Sequence, residues 1–292
     1  MMAADSVTIV EVGPRDGLQN EKAQIATVDK LALIGLLADA GLSRIEATAF
    51  VSPRWVPQMA DHEAVMRSVP RRPGIVFSAL VPNEKGAEAA LASGAQSLAV
   101  FTAASESFCL KNTNCTIAES ITRFRPVMAL AKRAGVPVRG YVSCALDCPY
   151  EGEIAPEAVA TVTAELLALG CNEIALSDTL GRGTPDRTAD MVAAALQRAP
   201  ATVLAGHFHD TSGRAIANVE AAWELGLRVF DGSVGGLGGC PYAPGAAGNF
   251  ATERLVAHFA AKGIETGVDL ARLSAIADRV AERFRPAGGA TR

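Results

Sequence analysis

At 292 residues the chain is long enough to bury the core of one large domain or two small ones. Apolar residues make up 49% and charged residues 20%, which excludes a disordered chain. Basic and acidic residues number 27 and 31, a net charge of −4, and with no basic block this argues against a nucleic-acid partner. The longest apolar stretches, such as 31–38, are broken by charge or glycine well short of the ~18 residues a membrane span needs, so no membrane partner is expected.

The first six residues carry no basic n-region or arginine-rich presequence before the first apolar run. Six dispersed cysteines, Cys109, Cys115, Cys144, Cys148, Cys171 and Cys240, are too sparse for a disulfide scaffold and form no C-x-x-C pair. The expectation is a cytoplasmic protein with reduced thiols.

In chain order, an apolar run over 7–12 predicts a first strand, and an alanine- and leucine-rich stretch over 28–40 predicts a helix that stops at Gly41. Extended runs follow at 44–48 and 75–81. Gly94 then precedes the run 97–102, a helix over 116–133 stops at Gly135 before 136–142, and a helix over 156–169 stops at Gly170 before 173–177. A helix over 185–198 leads to the run 203–209, and Gly226 precedes the last run, 228–233. Each glycine sits where a helix needs a left-handed residue just past its end, and each run has the apolar density of a buried parallel strand.

About eight strands alternating with helices predict an α/β fold, a (β/α)₈ TIM barrel, with a doubly wound open sheet as the alternative. Against the open sheet, no G-x-G-x-x-G follows a strand and no G-x-x-x-x-G-K-[ST] occurs. With no linker to divide it, the chain reads as one catalytic domain, 1–292, with the barrel over about 7–260 and an additional C-terminal helix over about 268–284.

In such a barrel chemistry sits at the C-terminal ends of the strands. His207 and His209, two apart at a strand end, project to one face, with Asp16 and Asn249 as nearby oxygen donors. On spacing alone a hydrogen-bonded histidine pair is as good a reading as a metal site. With only four histidines in the chain, two of them together at this rim favour metal. A set of imidazole, carboxylate and amide suits Mg²⁺ or Mn²⁺ better than tetrahedral Zn²⁺. Arg15, beside Asp16, would neutralise an anionic substrate or an oxyanion, and Glu46 in the second strand would pair with Arg15. The glycine-dense segment 235–249 reads as a tight turn or phosphate-cradling loop, or as a mobile lid carrying Cys240.

At these residues the chain resembles the 3-hydroxy-3-methylglutaryl-CoA (HMG-CoA) lyase family of metal-dependent TIM-barrel lyases. The matching stretches are 11–21 (EVGPRDGLQNE), 50–59 (FVSPRWVPQM), 139–144 (RGYVSC), 148–152 (CPYEG), 177–179 (SDT), 207–211 (HFHDT) and 235–242 (GGLGGCPY). The resemblance implies cleavage of HMG-CoA to acetyl-CoA and acetoacetate. Asp16, His207, His209 and Asn249 then correspond to the metal ligands, and Arg15, Glu46, Asp178 and Cys240 to catalytic residues. Arg15, Gln19, Arg139 and Tyr141 correspond to substrate-binding positions, and leucine degradation is the pathway the family carries. Asp147, Ser177 and Phe208 depart from the animal members, which have glycine at the first two positions and a smaller residue at the third. None of the three removes a ligand.

Four other readings compete, one of them a non-catalytic acyl-CoA-binding protein, against which the intact set of metal and proton-transfer residues argues. Another is a lyase of the same family acting on a longer branched 3-hydroxyglutaryl-CoA, since the resemblance extends to bacterial relatives that cleave such esters. An acetyl-CoA-condensing synthase would usually read Arg-Asp-Gly-Glu-Gln where this chain has Leu18, and would carry a long regulatory C-terminal region. An amidohydrolase would place His-x-His on the first strand instead of the seventh. The partner expected is a small-molecule acyl-CoA, and a homo-oligomer is allowed without being specified.

Overall fold

A computed structural model describes residues 6–19, 21, 23–238 and 248–284. Eight parallel strands close into a barrel in the order β1 (Thr8–Glu11), β10 (Val229–Gly232), β9 (Leu204–Phe208), β8 (Glu173–Asp178), β5 (Val138–Ser143), β4 (Ser97–Ala103), β3 (Val76–Leu80) and β2 (Arg44–Ala49). The seam pairs Thr8 with Val229 and Val10 with Arg44 on either side of the first strand. A small antiparallel hairpin, β6 (Asp147–Cys148) with β7 (Gly152–Glu153), stands after β5 at the C-terminal face. This is the TIM barrel, and the open sheet is excluded because β1 is bonded on both edges.

The local signals act as anticipated. Gly41, Gly94, Gly135, Gly170 and Gly226 all have φ between +66° and +112°, the left-handed conformation in which a chain leaves a helix without steric cost only when there is no Cβ. The helix Ile117–Ala134 begins in a capping box, where Thr116 Oγ1 accepts from the Glu119 N–H and the Glu119 carboxylate accepts from that of Thr116. Proline opens the helices Pro156–Leu169 and Pro185–Leu196, where its missing N–H costs nothing. The additional C-terminal helix, Leu270–Phe284, packs on the turn Val234–Gly236 and on the helix Thr27–Asp39. Features without a forecast include a π-helical turn at Gly13–Gly17, the helices His62–Ser68, Glu106–Thr113 and Thr252–Ala261, and the hairpin. Among the described residues no helix is long and apolar enough to cross a membrane.

Alternation along the strands divides the side chains between two environments. Val138, Gly140 and Val142 face the helices; a Cβ on Gly140 would lie within 3.0 Å of Leu166 and 3.3 Å of Cys171. Arg139 and Tyr141, in between, face the barrel interior. That interior is charged where such barrels are usually filled by layers of branched apolar side chains. Arg44 donates to Glu173 at 2.7 and 2.8 Å, and Arg139 bridges Glu173 at 2.9 Å and Asp231 at 2.6 Å.

Candidate metal and active site

The chain turns sharply after β1. Asp16 N donates to Val12 O at 2.7 Å within the π-helical turn, which brings Arg15 and Asp16 over the end of the barrel. The turn is fastened from below by Glu11, a buried carboxylate that accepts from Gly13 N (2.8 Å), Val234 N (3.0 Å) and Thr252 Oγ1 (2.7 Å). One side chain thus ties the Arg15–Asp16 turn to the connection that follows β10. Burial raises the Glu11 pKa to about 7 in spite of these donors.

Asp16, His207 and His209 converge so that one ligand atom of each lies within 4.8 Å of the others. β9 places the histidines: His207 pairs in register with Ser177 of β8, and His209 forms an antiparallel bridge with Asn249. Asn249 Nδ2 donates to Asp16 Oδ2 at 2.8 Å and to Leu237 O at 3.2 Å. A half-turn of this amide about its last torsion would present its oxygen in place of its nitrogen.

The donor set fits a divalent cation. Counting carboxylates and guanidiniums alone, Arg15, Arg44 and Arg139 face Asp16, Glu46, Glu173 and Asp231, so one negative charge is uncompensated. His209 Nδ1 is buried with no hydrogen-bond partner among the described residues. Burial, assisted by His207, lowers the His209 pKa to about 4, so near neutral pH its ring is uncharged, the state that ligates. Burial works against ionisation of Asp16, but Arg15 and both histidines outweigh it and hold the carboxyl well below its usual range.

Arg15 is held at two of its nitrogens: Nε donates to Glu46 and Nη1 to Asp16. Glu46 also accepts from the Tyr141 hydroxyl at 3.1 Å. Arg15 and Tyr141 line a cavity of about 990 Å³, together with Asp16, Gln19, His207, His209 and Asn249. Ser143, Ser177 and Thr179 add hydroxyls to the lining, which also includes Trp55, Phe108 and Lys111.

Seven of the residues singled out in the sequence therefore share one cavity, with Glu46 directly behind Arg15. Two have a different place. Arg139 is absent from the lining; it lies 3.1 Å from the Tyr141 hydroxyl and is bidentate on Asp231. Asp178 is also absent from the lining and has no exposed surface. Its Oδ1 accepts from Gly181 N (3.0 Å) and Arg182 N (3.3 Å), and its Oδ2 from Gly183 N (2.9 Å), so it shapes the loop after β8. A Cβ on Gly183 would stand 2.9 Å from Asp178 Oδ2 and 2.3 Å from Leu146, which is why glycine is required there. Cys240 and most of the segment 235–249 lie outside the described residues.

The three departures resolve differently. Asp147 forms an ion pair with Arg187 at 3.0 Å, Ser177 lines the cavity, and Phe208 is buried beside Gly206, on the strand face opposite to the histidines. Sequence reasoning missed Asp231, Glu173 and Arg44. The available signal was a charged residue at the head of an apolar strand run, as at Arg44 and Glu173, or inside one, as at Asp231.

The HMGL-like family profile matches residues 6–280, nearly the whole chain. The chain belongs to the HMGL-like family. It is 56% identical over 267 residues to the mitochondrial hydroxymethylglutaryl-CoA lyase of Bos taurus, covering 91% of this chain and 82% of that one. The crystal structure of the HMG-CoA lyase from Brucella melitensis superposes with a TM-score of 0.95 at 54% identity, covering 97% of this chain and 100% of that one. An HMG-CoA lyase from Acinetobacter baumannii, solved with coenzyme A and 3-methylmalate, gives 0.91 at 38% identity, covering 97% and 92%. This HMGL-like chain thus shares its barrel with both solved lyases over at least 92% of their length.

Proposed function

We infer that this chain is a carbon–carbon lyase that cleaves HMG-CoA to acetyl-CoA and acetoacetate. The observation that carries the reading is the convergence of Asp16, His207 and His209 beside Arg15 in a cavity of about 990 Å³, in a chain that shares over half its residues with a hydroxymethylglutaryl-CoA lyase. Asp16, His207, His209 and Asn249 would hold the cation, Mg²⁺ or Mn²⁺ by the preference of imidazole and oxygen donors. When bound, that cation polarises a hydroxyl or carbonyl oxygen of the substrate.

The reaction removes the proton of the C3 hydroxyl, breaks the C2–C3 bond and leaves the electron pair on C2, conjugated with the thioester carbonyl. A proton delivered to C2 then completes acetyl-CoA, and C3 becomes the ketone of acetoacetate. Arg15, aligned by Glu46 and Asp16, supplies fixed positive charge to the thioester oxygen as the enolate develops. Tyr141 and Gln19 face the acyl portion, and the hydroxyls of Ser143, Ser177 and Thr179 offer partners to its polar groups. Cys240 is the proposed acid that returns the proton to C2. The 1–292 chain would act as one catalytic domain.

Purified protein incubated with HMG-CoA and Mg²⁺ is expected to release acetoacetate and acetyl-CoA in equal amounts. Failure to form acetoacetate with either Mg²⁺ or Mn²⁺ would overturn the assignment. A panel of branched 3-hydroxyglutaryl-CoA esters ranked by kcat/KM separates the HMG-CoA reading from that of a longer-chain lyase.

A further inference from the structure

The interior ion pairs end on a ligand candidate. His207 Nδ1 lies 3.0 Å from Asp231 Oδ2, and both side chains are almost wholly buried. An ionised carboxylate only accepts, so Nδ1 must carry the proton, and the lone pair of the neutral ring is then on Nε2. Arg139 grips the same carboxylate at 2.6 and 3.1 Å, and Glu173 and Arg44 extend the row toward the opposite end of the barrel. The Tyr141 ring, edge-on at 5.9 Å between centroids, confines the imidazole from the side.

We propose that Asp231, clamped by Arg139, is a positioning residue for the metal centre: it fixes the tautomer and the ring plane of His207 so that Nε2 is presented to the cation. Histidine ligands commonly need such an outer partner, and its loss typically weakens metal binding or activity about 10–100-fold. Arg139 acts one step farther out by fixing Asp231. The inference rests on the metal reading of the site.

Asp231→Asn tests it with little change of shape. Arg139 donates only, so it will claim the new amide oxygen and turn the NH₂ group toward His207. The ring then keeps a proton on Nε2, the wrong tautomer for ligation. Two-bond ¹H–¹⁵N spectra of metal-free, histidine-labelled protein read the tautomers directly; there are four histidines to resolve, and His207→Gln assigns the signal. The expected result is Nδ1–H for His207 in the wild type, a shift to Nε2–H in Asp231→Asn, and a 10–100-fold rise in the Mn²⁺ dissociation constant measured by electron paramagnetic resonance. A wild-type His207 protonated on Nε2, or a folded Asp231→Asn variant with unchanged Mn²⁺ affinity, overturns the proposal. Should the variant not fold, the wild-type tautomer decides alone. A wild-type protein that binds no Mn²⁺ would defeat the metal reading instead, an outcome distinct from these.

Discussion

Glu46, in β2, accepts a hydrogen bond from Nε of Arg15, on the turn after β1, so that the edge of the guanidinium is fixed before any substrate arrives. The second carboxylate oxygen is occupied by Tyr141, which leaves Glu46 no other orientation. A donor held this way gains most when charge develops on the oxygen it faces, because nothing must reorganise during bond breaking. Arg15→Gln is therefore expected to lower kcat by ~10²-fold or more with little change in KM. Glu46→Gln should act in the same direction more weakly. Steady-state kinetics decide: a variant that changes only KM would make Arg15 a binding residue.

Chelation is expected to abolish turnover, and Mg²⁺ or Mn²⁺ to restore it. His207→Ala should lower Mn²⁺ affinity as well as rate, since it removes one of the three convergent ligand groups. Full activity of chelator-treated protein, verified metal-free by elemental analysis, would contradict this.

The His209 environment gives a pH dependence with a definite sign. Its pKa in the folded chain is about 4, against 6.5 for a free imidazole. Between these values the unfolded chain binds a proton that the folded one does not, so stability rises with pH across the window. The His209 contribution is fully present above pH ~6.5 and is lost as pH falls toward 4. In the metal-free protein, urea midpoints from pH 4.5 to 7.5 should climb more steeply for wild type than for His209→Gln. Parallel curves would disprove the shift.

Asp178 is expected to behave as a loop anchor. Asp178→Ala removes the acceptor for three backbone N–H groups, and unpaired buried donors cost ~1–3 kcal/mol each, so unfolding free energy should fall by at least ~2 kcal/mol. Because Ser177 and Thr179 flank it on the cavity wall, kcat/KM should fall too. Urea denaturation and kinetics on one preparation test both. An unchanged midpoint with lost activity would return Asp178 to proton transfer.

The parts of this molecule legible in the sequence are those encoded locally. A glycine past a helix end and a β-branched run after it specify the helix-to-strand step, and His207-x-His209 at a strand end specifies a shared face. Asp16 and Asn249, 233 positions apart, were reachable because both lie on connections at the same rim. The partnership of Arg139 with Asp231 was not, since it depends on which strands face each other across the closed interior, a relation fixed by the seam of β1 with β10. Asp178 shows a different gap. A carboxylate followed by Gly181 and Gly183 is the composition of a loop that folds back on its own acceptor, a local turn that residue types and spacing alone do not separate from a chemical role.

Cys240 carries the last prediction, and the other five cysteines sharpen it. Cys109, Cys115, Cys144, Cys148 and Cys171 are all buried. Burial also pushes the Cys171 thiol up to about 12 and raises that of Cys144 far above the usual thiol value, so neither supplies thiolate near neutral pH. Alkylation of native protein should therefore map to Cys240 alone, and an acyl-CoA product or analogue should protect it if the thiol works beside the substrate. Cys240→Ala should retain Mn²⁺ binding and thermal stability while losing most turnover, because the missing group delivers a proton to C2 and holds neither cation nor fold. Oxidation by peroxide to a sulfenic acid should inactivate the protein, and a thiol reductant should restore it. Peptide mapping by mass spectrometry, with and without acetyl-CoA, reads the labelling, and acetoacetate release reads the chemistry. Near-wild-type turnover of Cys240→Ala would remove the thiol from the proton transfer, and labelling of Cys240 that ligand does not slow would place it away from the bound acyl chain.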